Sequence, residues 1–482
     1  MANKTTKNPA EIFSELSLQN QILLPSDDEY KERQESFWSL YSQIEPACIV
    51  RPTTANEVST IVKTLVASGQ KFAVRSGGHT QWAGANNIQD GVTIDLQFLN
   101  WTKFDEKTRN VDIGPGARWK DVYTELEKHG RVVAGGRNGK VGVGGLLLGG
   151  GMTFFTGSRG LACDNIISFE VVLADGSIVT ADATNSQKDL FMALKGGSGN
   201  FGIVTNFKML TFVCEKIWGG FRILSKEYIG DALQAFEDFT PHVPEEVDSN
   251  ILLFIAYMGK LKDVVVIEAL IQVGAVENAP AYNKMVSIPA VMDMCKMTTV
   301  RELVSEYDPV PNGYYNCFYT LTIKNDVRIF NKAADLHNQV VEDLKALIPE
   351  GNFLTECLFQ PFSKCIGKRS AERGGNIMGV TGQPEDGVLW VAIIVIKTAE
   401  QEKAAYPMLQ KWGESVRDFA SSIENGLLPW VYMNYADKSQ QPLASYGAEN
   451  VNKMKDVAAK YDPEEVFQKL CPGGFKISDS TL

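Results

Sequence analysis

The chain has 482 residues, 44% of them hydrophobic and 22% charged, with a formal net charge of −11. That length suits two or three globular domains, and the acidic balance argues against nucleic acid, whose phosphates call for a concentrated basic surface. No apolar run approaches the roughly 20 residues of a membrane span.

The first residues, MANKTTKNPAEIF, lack the apolar core of a secretory signal. Eight scattered cysteines without a CxxC pair fit a reducing, cytoplasmic location better than a disulfide framework. Four histidines, no two of them close in sequence, make a His-based zinc site improbable.

A mixed α/β pattern begins near Ile49. Val58, Ile61, Val62 and Leu65 fall on one face of a helix that Gly69 ends. KFAVRSGGH reads as a strand running into a glycine turn, GVTIDL as a second strand, and RWKDVYTELEKHG as a helix closed by glycine. Beyond the glycine-rich stretch 135–151, ISFEVVLADGSIVTA is a hairpin joined by Asp175-Gly176. NSQKDLFMALKG reads as a short helix capped by Asn185 or Ser186.

From about Cys214 the texture changes. FRIL, NILLFIAYM, DVVVIEALIQV, CFYTLTI, GVLWVAIIVI and PWVYMNY read as strands, alternating with helices over 329–347 and 399–419. The pattern predicts an α+β chain whose second part is a mostly antiparallel sheet with helices on one face. A final helix from Tyr446 precedes YDPEEVF, which returns to the first domain. The predicted divisions are 1–213, 214–445 and 446–482.

Two segments carry chemistry. In RSGGH, Arg75–His79, three small residues directly after a strand let the backbone turn and expose consecutive N–H groups, a nest for a phosphate oxygen. In VGVGGLLLGGG, six glycines in eleven residues favour close approach of a flat or charged ligand over packing alone. The GxGxxG pattern of a nicotinamide site is absent near the N-terminus, and GSGNFG lacks the Lys-Ser/Thr of a nucleoside-triphosphate loop.

RSGGHTQWAG, GGLLLGGG, GLACDNIISFEVVLADGSIV, KGGSGNFGIVT and YDPEEVF, in that order and spacing, closely resemble the vanillyl-alcohol-oxidase-type flavoproteins of the berberine-bridge-like branch. HTQWAGANNI resembles fungal members that act in natural-product pathways. The resemblance implies a two-part FAD-binding domain and a substrate domain whose sheet roofs the flavin. It implies FAD as cofactor, with Arg75, Ser76, Gly77 and Gly78 at the pyrophosphate and His79 in an 8α-histidyl bond to the ring. Gly144, Gly145, Gly149, Gly150, Asp164, Ile203 and Val204 would line the coenzyme.

Doubly linked members carry a cysteine where this chain has Asn138, and Cys163 lies in a different element, so a single covalent link is expected and sugar oxidation is demoted. PWVYMNYAD matches the family's YxNY strand, with Tyr432 and Asn434 on one face. Tyr432 is expected as base or substrate-orienting phenol, although an ordinary phenol of pKa about 10 needs help to act as a base near neutrality. The strand 389–396 offers only Trp390 and aliphatic residues as that help. Tyr257, Tyr319, Gln360 and Trp390 are further pocket candidates on the substrate sheet.

The implied reaction is a two-electron oxidation of a small, apolar substrate, with or without ring closure, and molecular oxygen returning as hydrogen peroxide. The rivals are an oxygen-excluding dehydrogenase, a non-redox cyclase scaffolded by the flavin, and a non-catalytic binder.

Overall fold

The computed structural model describes residues 11–13, 16, 18–306, 312–382 and 385–480. The helix Ala55–Ser68 forms as its periodicity requires, with Val58, Ile61, Val62 and Leu65 buried on one face. Each such side chain contributes about 1.5–3 kcal/mol by leaving water. The Thr54 hydroxyl accepts the Glu57 N–H at 3.2 Å, a cap that contributes about 1 kcal/mol, and Gly69 ends the helix at φ 64°. The apolar face shares a core with the strands Cys48–Val50, Phe72–Arg75 and Val92–Asp95, the outer two parallel to the third. Ser76–His79 therefore leaves the C-terminal end of a parallel strand, the side from which such sheets bind ligands.

An antiparallel five-stranded sheet follows, holding Thr102–Asp105, Asn110–Ile113, Ile166–Val172, Ile178–Asp182 and Ile203–Leu210. The expected hairpin at Asp175-Gly176 is present, with Gly176 at φ 77°. The next helix, Lys188–Leu194, begins after Gln187, whose N–H donates to Asn185 Oδ1 at 2.9 Å. Asn185 thus serves the turn just ahead of the helix, and Ser186 bonds Gln187 instead.

The second part is a nine-stranded antiparallel sheet. Across its width the long strands run Ile217–Ser225, Asp263–Gln272, Ser249–Met258, Leu354–Phe362, Gly387–Ile396 and Tyr315–Lys324. The helices Val327–Leu347 and Ala399–Ser421 cover one face, where Trp412 meets Trp390 at 5.4 Å and donates to the Ala333 carbonyl. PWVYMNY is not the strand expected of it. Pairing stops at Leu427–Leu428, and Met433–Tyr435 is a 3-10 turn. Pro429, which has no N–H to donate, stands where the ladder would continue.

The C-terminal helix Ala448–Tyr461 is followed by a segment that packs on the first sheet. Phe467 lies 6.2 Å from Phe72, and the Phe72 N–H donates to the Leu470 carbonyl at 2.7 Å. Among the described residues no helix is long and apolar enough to cross a membrane.

Candidate functional site

One cavity of about 390 Å³ lies between the glycine loops and the uncovered face of the large sheet. Its first wall is the turn after Arg75. The Arg75 side chain itself does not reach the cavity. It is buried over the Phe37 ring, donating to the Arg33 carbonyl and the Ser36 hydroxyl at 2.7 Å each, and so braces the turn from behind. Gly78 sits at φ 63°, and a Cβ there would strike the Arg75 guanidinium at 2.9 Å. The N–H groups of Gly77, Gly78 and His79 donate to nothing among the described residues, while Ser76 Oγ donates to the Pro115 carbonyl at 2.6 Å. All four of these residues line the cavity.

His79 is stacked on Trp38 at 4.2 Å with the rings 8° from parallel. Burial pushes its pKa down to about 3, helped by the charges of Arg118 and Lys140. The imidazole is therefore neutral, with a lone pair available for bonding at physiological pH.

The second glycine run divides by role. A Cβ on Gly142 would lie 2.5 Å from the Gly77 Cα, so the two loops touch backbone to backbone. Gly142, Gly144 and Gly145 line the cavity, and the space beside Gly145 is open. Val143–Leu148 is a short helix rather than a loop. Gly149 and Gly150 do not line the cavity. A Cβ on Gly149 would overlap the Asn434 side chain at 2.0 Å, and one on Gly150 would strike Met378 at 2.7 Å. Both glycines pack against protein side chains here.

Asp164 is also absent from the wall. It accepts from the Leu161 N–H at 2.9 Å and from Ser370 and Asn376 at 3.0 Å, a buried knot behind the loop. Ile203 and Val204 do line the cavity, as does Asn138, while Cys163 does not.

Tyr432 and Asn434 meet by way of the 3-10 turn rather than strand alternation. The Tyr432 hydroxyl oxygen accepts the Met152 N–H at 2.8 Å and an Asn434 amide N–H at 3.0 Å. Asn434 also donates to the Leu146 carbonyl at 3.2 Å. Both residues are on the wall. Burial and the nearby Tyr435 phenol raise the Tyr432 pKa, so near neutrality it stays a neutral phenol, able to donate a hydrogen bond but not to act as a base.

The opposite wall comes from the sheet. Phe318 pairs with Ile393, and Ile393 with Glu356, so one cross-strand row presents all three to the cavity. Glu356 is 5% exposed, and burial alone lifts its carboxyl to about 7. Two residues along the same strand is Leu358, and two further is Gln360, whose Oε1 accepts from Arg137 Nη2 at 2.6 Å. Arg137 Nη2 also donates to the Tyr435 hydroxyl at 2.8 Å. Of the four weaker candidates, only Gln360 turns toward this side. Tyr257 stacks on Phe353, Tyr319 packs on Gly413 and Arg417, and Trp390 bonds Cys357 against the helix layer. Sequence reasoning missed Glu356, Arg137 and Asn86, the last a cavity-wall amide with neither polar atom partnered. Glu356 did carry a signal, because it is the one charged residue in the mostly apolar strand LTECLFQPF.

These residues fit FAD. The unengaged N–H groups suit a pyrophosphate, the open face at Gly145 and Gly199 admits a flat group, and Asn86 offers an unused amide.

Comparison with known proteins agrees with this. Residues 46–182 match the model of an FAD binding domain, and residues 431–469 the model described as berberine and berberine like. The FAD-dependent monooxygenase drtC of Aspergillus calidoustus is 36% identical over 470 residues, spanning 96% of this chain and 89% of that protein. The bifunctional solanapyrone synthase of Alternaria solani is 33% identical over 471 residues, spanning 96% and 88%. Xylooligosaccharide oxidase from Myceliophthora thermophila C1 superposes with a TM-score of 0.78 at 20% identity, over 98% of this chain and 100% of that one. The α+β fold is thus that of the vanillyl-alcohol-oxidase-type flavoproteins, as expected.

Proposed function

This chain belongs to the berberine-like family of FAD-dependent oxidoreductases, and on that footing we propose that it oxidises a small, largely apolar natural-product-like substrate by two electrons, with molecular oxygen as final acceptor and hydrogen peroxide as by-product. The observation that carries this reading is the cavity that joins the unengaged amides of residues 77–79 to a sheet wall with a buried carboxyl.

In this reading Ser76, Gly77, Gly78 and His79 hold the coenzyme, with Gly144, Gly145, Ile203 and Val204 along its length. Arg75, Gly149, Gly150 and Asp164 act from behind by fixing the loops. His79 carries the flavin through one 8α-histidyl bond. Its neutral ring, clamped by Trp38, supports that role, and Asn138 replaces the cysteine of doubly linked members. Bound there, FAD supplies the two-electron acceptor. Glu356 takes the substrate proton, since a carboxyl near 7 is matched to proton transfer at neutral pH. Tyr432, held by Met152 and Asn434, orients the substrate as a donor.

Acid precipitation tests the core of the reading. The pellet should stay yellow for the wild type and lose its colour in His79→Ala. Flavin wholly in the wild-type supernatant would remove the covalent link. Under air, each substrate molecule oxidised should yield one peroxide. Turnover without peroxide would point to a dehydrogenase, or to a non-redox cyclase if the flavin never bleaches anaerobically.

A further inference from the structure

Arg137 is only 8% exposed, yet no carboxylate among the described residues forms an ion pair with it. Its two partners, Gln360 and Tyr435, are neutral, and both bonds use the same nitrogen, Nη2. They also bond each other, Gln360 Nε2 donating to the Tyr435 hydroxyl at 3.3 Å, so the guanidinium is held in place while Nε and Nη1 make no hydrogen bond among the described residues. Leu252, Leu358, Phe318 and Ile393 line the same cavity, beside polar groups that include Glu356 and Asn138. A buried cation without a counter-ion is unfavourable in such surroundings unless an anion arrives. A rigid guanidinium fork matches an oxygen anion better than any other group.

We propose that Arg137 forms an oxyanion subsite, and that the substrate is an apolar molecule bearing an ionised oxygen, such as a carboxylate, phenolate or enolate. This rests on the reading of the cavity as the place of oxidation, and it narrows the substrate class. Glu356 shares the wall without pairing with Arg137, so one group fixes the substrate's oxygen while the other remains for the proton. Phe318, Ile393 and Leu358 cover the apolar skeleton.

The test is calorimetric titration of the flavin-loaded enzyme with benzoate, 4-nitrophenolate and the neutral isostere benzamide. Benzoate should bind at least about tenfold tighter than benzamide, the gain expected of one charge-assisted contact. Arg137→Gln should reduce that ratio to about one, and Arg137→Lys, which keeps the charge but not the fork, should leave it between the two. The nitrophenolate arm separates a general oxyanion site from one built for carboxylates. Equal affinity for benzoate and benzamide in the wild type, or a benzoate advantage that survives Arg137→Gln, overturns the proposal. If Arg137→Gln does not fold, an unchanged ratio in Arg137→Lys overturns it. Acid-precipitable flavin is measured on the same preparations. Loss of the covalent link with an intact benzoate preference would sink the flavin reading and leave the subsite standing, and the reverse pattern would do the opposite.

Discussion

Replacing Glu356 by glutamine should stabilise the protein in a way that depends on pH. Burial lifts this carboxyl from an ordinary 4.5 to about 7 in the folded chain. A folded-state pKa raised above the unfolded one gives stability that is fully present below about 4.5 and is lost as pH rises through about 7. At about 1.4 kcal/mol for each pH unit separating the two midpoints, the loss reaches about 3 kcal/mol above pH 8. For a chain of this size that corresponds to about 3 °C in melting temperature. Melting of wild type and Glu356→Gln should be followed from pH 4.5 to 8.5 by flavin fluorescence and circular dichroism. The gap between them should be smallest at the acid end, widen through pH 5–7 and then level off. Any fixed effect of the amide shifts the whole curve and leaves its shape unchanged. A gap that stays constant across the range would refute the assignment of a desolvated, titrating carboxyl on the cavity wall.

The remaining predictions concern the loops and the proton. Gly77→Ala places a Cβ 2.5 Å from the Gly142 backbone, forcing the two loops apart. It should cost about 1–3 kcal/mol and empty the protein of flavin, measured as the flavin-to-protein ratio, with full occupancy counting against the backbone contact. With a turnover substrate, Glu356→Gln should slow anaerobic flavin bleaching by about 10²–10⁴, the usual range for a proton-transfer group. Tyr432→Phe, which removes an orienting hydroxyl, should slow it by about tenfold or less. A reversal of that order would return the proton to the phenol.

Local rules made much of this protein legible. The helix over 55–68, the hairpin at Gly176 and the two long helices of the second part follow from periodicity and turn chemistry, which depend only on near neighbours in sequence. The turn Ser76–His79 was readable for the same reason, because a strand followed by glycines must bend there. Tertiary structure decided what those rules leave open. Alternation along Leu354–Phe362 separates Glu356 and Gln360 from Phe359, but only the helix layer on one side says which face meets the cavity. Gly142 and Gly149 look alike in sequence. One meets the backbone of a loop 65 residues away and the other an asparagine side chain from the far end of the chain. Arg137 acquires its meaning only when Gln360 and Tyr435 arrive from distant segments and, among the described residues, no carboxylate does. Which polar groups are buried together at the cavity, and the pKa shifts and ligand preferences that follow, are decided by long-range packing, because their partners come from distant segments.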